Sequence, residues 1–199
     1  MNEKPTEAAM DIYERLRESG ALLEGHFLLS SGLHSDRYIQ CARLLSHPEH
    51  AEYVGRELVL RYRSELQEPV DVVVGPALGG VIVAHEVARA LSVRALFAER
   101  EAGALTLRRG FALAKGERVL VVEDVITTGG SAAETGRLVE SHGGRVVGYA
   151  AIVERGAEHG LSPLYALWQV RPQLYPADDC PLCKAGMPCV KPGSRSPKP

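Results

Sequence analysis

Apolar residues change period along this chain in a way that separates helices from strands. Ile12, Tyr13 and Leu16 recur at helical spacing between Ala8 and Arg17, with Gly20 beyond as a stop, so a first helix is expected there. From His26 to Cys41 the pattern breaks at Ser30-Ser31-Gly32 and again at Leu33-His34-Ser35-Asp36. That reads as a strand, a loop and a second strand, a small cap outside the main sheet. Pro48 to Tyr62 returns to helical spacing. Val70-Asp71-Val72-Val73-Val74 is a β-branched run ended by Gly75-Pro76, followed by an apolar helix from about Gly79 to Leu91 and a strand over Val93–Ala98. Leu105 to Leu113 reads as a hairpin region, with Lys115-Gly116-Glu117 as a turn. Val119-Leu120-Val121-Val122 has the unbroken apolar character of a strand covered on both faces. A glycine-bearing loop, a helix from about Ser131 to His142 and a strand over Arg145–Val153 follow. Strands alternating with helices require crossover connections, so the expected class is α/β with a mostly parallel sheet.

Length and charge narrow the partners. The 199 residues suit one such domain over 1–175, with a cap at about 20–45, a core at about 65–170, and a Cys/Pro-rich tail over 176–199. A formal net charge of −2 supplies no basic field for a nucleic-acid backbone, so an anionic substrate must be held by a few local donors. The longest charge-free apolar stretch, Val72 to Ala84, is interrupted by Gly75, Pro76, Gly79 and Gly80 and is too short for a bilayer. Met1 to Asp11 lacks the basic and apolar regions of a signal peptide, which leads to an expected cytoplasmic location.

The passage richest in chemistry runs from Val119 to Ser131. A buried strand emerges with two adjacent carboxylates, Glu123 and Asp124, then turns through Val125, Ile126, Thr127, Thr128, Gly129 and Gly130 into a helix start at Ser131. Ligands of open α/β sheets sit beyond the C-terminal ends of strands, where this loop lies. Amides at a helix N-terminus, unobstructed at the two glycines, suit a phosphate monoester, and the hydroxyls add donors. The carboxylates would repel that phosphate but suit sugar hydroxyls, a magnesium ion or a developing sugar cation. No lysine follows the glycines, which sets the loop apart from a Walker loop. A second small-residue loop, Gly75-Pro76-Ala77-Leu78-Gly79-Gly80, again closes a strand and opens a helix, and could admit a pyrophosphate.

The Glu123–Ser131 passage resembles the signature of the type I phosphoribosyltransferases, which bind phosphoribosyl pyrophosphate (PRPP). The resemblance implies their fold, a mostly parallel twisted sheet flanked by helices with a small N-terminal hood. It also implies that Glu123 and Asp124 clamp the ribose hydroxyls, that Val125 to Ser131 wrap the 5-phosphate, and that Pro76, Ala77 and Gly79 meet the pyrophosphate. Phe27 to Tyr38 resembles the hood of the orotate enzymes of this family, and Ile152-Val153-Glu154-Arg155 their final core strand. Orotate contacts are therefore expected from Ser30, Tyr38, Thr127 and Arg155, although some of these enzymes carry a lysine where Ser30 stands. A guanidinium at Arg155 has the fork to take a carboxylate in two places. The family's mobile catalytic loop usually carries lysines and a histidine, whereas Glu99 to Gly110 contains neither and looks shortened. Arg100 matches the basic residue that reaches PRPP across a dimer, with Arg108 or Arg109 as further sources of positive charge. The resemblance thus implies transfer of ribose 5-phosphate from PRPP to orotate in pyrimidine (UMP) synthesis, with magnesium, by a homodimer with shared active sites. A purine or xanthine phosphoribosyltransferase and a non-catalytic PRPP-sensing regulator are the competing readings.

Three of the four cysteines lie in the tail. Cys180-Pro181-Leu182-Cys183 followed by Cys189 has the spacing of part of a zinc site, with Cys41 or a histidine as a fourth ligand from elsewhere.

Overall fold

The structure is a computed structural model, and the residues it describes are 7–65, 68–156 and 159–192. Its elements are α1 (Glu7–Glu18), β1 (Leu22–Leu28), β2 (His34–Ile39), α2 (Cys41–Leu45), α3 (Pro48–Glu65), β3 (Val72–Pro76), α4 (Gly79–Leu91) and β4 (Arg94–Glu101). They continue with β5 (Ala104–Leu107), β6 (Arg118–Ile126), α5 (Gly130–Ser141), β7 (Arg145–Arg155), β8 (Leu164–Val170), β9 (Leu174–Tyr175) and α6 (Pro181–Lys184).

Six strands form the main sheet in the order β5-β4-β3-β6-β7-β8, parallel except for β5. The fold class expected from the alternating pattern is the one observed. Side chains of successive strand residues point to opposite faces, and the valines of β3 divide accordingly. Val73 packs with Ile12, Leu58, Val83 and Val122 on the face covered by α1, α3 and α4, while Val72 and Val74 pack with Val121, Ala132 and Val139 under α5. A strand buried on both sides has no polar face to show, which is why β3 and the first half of β6 read as continuous apolar runs.

A second sheet, β1-β2-β9, forms the hood. Its β1–β2 ladder shifts register between Glu24 and Phe27, so His26 and Phe27 are both buried instead of alternating. β9 returns from the end of the chain to pair with the start of β2, His34 opposite Tyr175. Val190 bridges to Phe27, tying the tail to the other hood strand.

Three regions differ from the sequence-based expectation. The hairpin is built from β4 and β5 around a tight turn at Ala102-Gly103, and Arg108 to Leu113 forms no strand. β8 and β9 were not anticipated. The five-residue α2 and four-residue α6 are too short to carry a periodic signal.

Candidate functional site

The strand order places a topological switch between β3 and β6. The crossover through α4 carries the chain from β3 to β4 on one side, and β6 then pairs on the other side of β3. The carboxyl ends of these two central strands leave a crevice where ligands of such sheets bind. Both candidate loops open there.

The two loops touch. A Cβ at Gly79, the first residue of α4, would collide with Oδ1 of Asp124 and lie 2.7 Å from its Cγ, so only glycine lets the carboxylate rest against this helix start. Pro76 has no N–H, and the Ala77 amide donates to the Ala98 carbonyl at 2.8 Å. The open amides of this turn are therefore those of Leu78, Gly79 and Gly80, among the described residues. Ala77 takes part through its shape alone, a narrower role than its place in the motif suggested. The Ala77–Leu78 peptide is cis.

Glu123 and Asp124 stand at the end of β6, partly buried, and form no ion pair among the described residues. Burial is the main cause of a rise in the Glu123 pKa to about 7, with the Asp124 charge adding to it. Asp124 is also pushed up by burial, against the pull of the backbone amides of Val125 and its own residue. Two adjacent carboxyls held out of water and uncompensated invite hydroxyl donors, a cation or a positively charged sugar. Val125 and Ile126 extend the ladder opposite Val153 and Glu154, so they position the turn through the backbone. Gly129 adopts φ +74°, and a Cβ there would come within 2.8 Å of the His159 Cβ. This left-handed residue caps α5 without a side-chain bond, so the amides of Gly130 and Ser131 face outward at the positive end of the helix.

A cavity of about 600 Å³ lies between this turn and the hood. Leu29, Ser30, Ser31 and Leu33 line it from the β1–β2 loop, Thr127 and Thr128 from the β6–α5 turn. Arg155, Gly156, Arg171, Pro172 and Leu174 close the remaining side. Three of the four residues expected at the base, Ser30, Thr127 and Arg155, meet here. Tyr38 does not line the cavity; its ring packs 6.0 Å from that of Phe27, near enough to Arg155 to favour the guanidinium charge.

The two arginines of the cavity differ. Arg155 forms no side-chain hydrogen bond or ion pair among the described residues, and burial lowers its pKa. Arg171 is held by the buried Glu154 at 3.1 Å, a carboxylate that also accepts from Gln169 at 2.8 Å and lies 3.4 Å from His159. Glu154 and Arg171 were missed in the sequence, because nothing local marks a buried carboxylate whose partners come from β8 and the segment beyond it.

The basic residues of the hairpin are engaged within the chain. Arg100 donates to the Gly103 carbonyl at 2.7 Å and pairs with Glu134 of α5 at 2.8 Å. Arg109 pairs with Glu99 at 2.5 Å, and Arg108 lies 3.6 Å from Glu101. The two-residue turn confirms that the segment is short.

A separate cluster lies under the hood. His26, His34, Cys180 and Cys183 bring one ligand atom each to within 4.8 Å of one another. Cys189 is exposed and outside this group, and Cys41 is buried elsewhere, its thiol 3.9 Å from the Asp124 carbonyl. The tail cysteines thus meet two histidines of the hood, where the sequence pointed to Cys189.

Comparison with known proteins agrees with this geometry. The family model of the phosphoribosyl transferase domain matches residues 42–171. Orotate phosphoribosyltransferase of Caldanaerobacter subterraneus is 50% identical over 192 residues, covering 95% of this chain and 97% of that protein. The Thermotoga maritima orotate phosphoribosyltransferase is 50% identical over 190 residues, covering 94% of this chain and 100% of that protein. Among solved structures, the Aeropyrum pernix orotate phosphoribosyltransferase superposes with a TM-score of 0.70 at 29% identity, over 80% of this chain and 93% of that one.

Proposed function

The chain belongs to the phosphoribosyl transferase family and, within it, to the orotate phosphoribosyltransferases, and on that footing we propose how its residues carry ribose 5-phosphate from PRPP to orotate. The products are orotidine 5-phosphate and pyrophosphate, a step of pyrimidine nucleotide synthesis.

The observation that carries the assignment of roles is the pairing of β6 with β7. Ile126 lies opposite Glu154, so Thr127 and Arg155 leave neighbouring parallel strands side by side, about 5 Å apart by strand spacing. A sugar phosphate held by the β6–α5 turn would therefore have its anomeric carbon next to a base whose carboxylate meets Arg155. The unpaired guanidinium favours an acidic base over a purine.

In the reaction the bond from the anomeric carbon to pyrophosphate breaks, the electron pair leaving with pyrophosphate, and a bond to orotate N1 forms. Glu123 and Asp124 accept hydrogen bonds from the ribose 2- and 3-hydroxyls and lie where positive charge develops on the ring. The open amides of 128–131, with the hydroxyls of Thr127, Thr128 and Ser131, hold the 5-phosphate. Amides of 78–80 take the pyrophosphate. Catalysis then rests on alignment and electrostatics.

Magnesium fits this site, because Glu123 and Asp124 offer uncompensated oxygen ligands of the kind a hard cation takes. It would arrive mainly on PRPP oxygens, with these carboxylates as the nearest protein donors, and would neutralise charge on the departing pyrophosphate. The family resemblance supports a cytoplasmic homodimer in which Arg100 exchanges Glu134 for a neighbouring subunit's PRPP. Exposed Leu78 and Ile82, one turn apart, supply uncovered apolar surface. Among the described residues no helix is long and apolar enough to cross a membrane.

Incubation with PRPP, magnesium and either orotate, adenine, hypoxanthine or xanthine, followed by chromatography, tests the reading. Orotidine 5-phosphate should form, and purine nucleotides should not. Binding of PRPP with no product from any base would instead favour the sensing role.

A further inference from the structure

We propose that His26, His34, Cys180 and Cys183 bind one zinc ion in a closed structural site that fastens the C-terminal tail to the hood. The distances already approach those of a tetrahedral centre. Bond lengths of about 2.0–2.1 Å to nitrogen and about 2.3 Å to sulfur place nitrogen and sulfur ligands about 3.6 Å apart on a regular tetrahedron. Cys180 Sγ lies 3.5 Å from His26 Nε2, and Cys183 Sγ lies 3.7 Å from His26 Nε2 and 3.4 Å from His34 Nδ1. The two ring nitrogens are closer, at 2.7 Å, so metal binding would separate them by a fraction of an ångström.

Orientation of the ligands agrees with the distances. His26 Nδ1 lies 2.8 Å from the Met187 carbonyl, which can only accept, so this nitrogen carries the proton and the Nε2 lone pair points into the cluster. A carbonyl partner behind a ligating imidazole is the usual means of fixing its tautomer. Cys180 precedes α6 and Cys183 lies within it, and the Lys184 amide closes this turn onto the Cys180 carbonyl at 3.1 Å. The turn brings both sulfurs to one side. Three of the four ligands are buried, Cys183 being the exception.

Energetics give the cluster a purpose. From Ala177 to Val190, Cys180 is the only buried residue, so the segment has almost no apolar surface with which to hold itself in place. Its backbone ties to the hood are the two bonds joining Val190 to His26 and Leu28. Metal ligation supplies the missing ordering energy. On binding, each thiol loses its proton to solvent, and two thiolates with two neutral imidazoles balance the dication, leaving a neutral site suited to burial. Nitrogen and sulfur in equal number favour zinc over magnesium or calcium.

Elemental analysis of protein purified without chelator should find about one zinc per chain. Cobalt(II) added to the metal-free, reduced wild-type protein should give the intense visible bands of tetrahedral cobalt with thiolate ligands. Cys183→Ser and His34→Ala should lose at least nine-tenths of the zinc, while Cys189→Ser keeps it. The wild-type cobalt spectrum decides the matter even if a ligand variant fails to fold. A wild-type chain that holds no zinc and gives no such spectrum would overturn the proposal. Full zinc in a Cys180→Ser/Cys183→Ser double variant, or its loss from Cys189→Ser, would overturn the ligand set.

Discussion

Replacing Glu123 by glutamine should stabilise the free protein in a pH-dependent way while it removes activity. The carboxyl is partly buried next to Asp124, and its pKa rises from 4.5 to about 7, first through burial and then through its neighbour's charge. A rise of about 2.5 units corresponds to about 3 kcal/mol at 1.36 kcal/mol per unit. Remaining solvent contact and the charge shared with Asp124 reduce this to about 1–2 kcal/mol. In the unfolded chain the carboxyl ionises near its ordinary value, whereas the native state keeps the proton until about pH 7. Between those values the native protein binds more protons, so stability falls as pH rises. The destabilisation is absent below the unfolded value and complete above the folded one. Glutamine, of the same shape, cannot ionise. Urea unfolding without PRPP or magnesium should therefore find the variant more stable by about 1–2 kcal/mol at about pH 8 and little changed at about pH 4.5. Orotidine 5-phosphate formation should drop sharply. An offset equal at both pH values, or a variant less stable at the higher pH, would refute the argument that ionisation of this group strains the site.

Arg155→Ala should lower kcat/KM for orotate by about 2–3 kcal/mol, roughly 30- to 150-fold, and leave PRPP binding nearly intact; Arg155→Lys should recover only part, having lost the fork. Steady-state kinetics with each substrate varied in turn measure the split. Gly129→Ala forces a side chain into φ +74° against His159 and should cost on the order of 1–3 kcal/mol in denaturant unfolding, with weaker PRPP binding by calorimetry. Gly79→Ala displaces the Asp124 carboxylate and should reduce kcat/KM by roughly 10- to 100-fold, because a misplacement of about 1 Å has that effect.

How much of this was legible in the sequence varied with how local the cause was. The turn from β6 into α5 could be read residue by residue, since a strand end, an acidic pair and two glycines all lie within one short stretch. α4 was equally plain, running from Gly79 to Leu91 as the apolar pattern indicated. β8 escaped because it lies beyond the last strong apolar run, at the sheet's edge, where its exposed faces blur the pattern. The metal cluster was half visible. Cys180 and Cys183 announce themselves by spacing, but their partners lie about 150 residues away, and a register shift in β1 turns His26 inward against simple alternation. Nor could local pattern reveal that Arg155 is left free while Arg171 is held, because Glu154 makes that distinction through residues of β8 and beyond.

Diffraction from crystals soaked with PRPP and magnesium would test the assignment of the sugar site most directly. The account predicts the 5-phosphate within hydrogen-bonding distance of the amides of 128–131, with the ribose hydroxyls on Glu123 and Asp124. A phosphate bound away from the β6–α5 turn, with both carboxylates untouched, would contradict it.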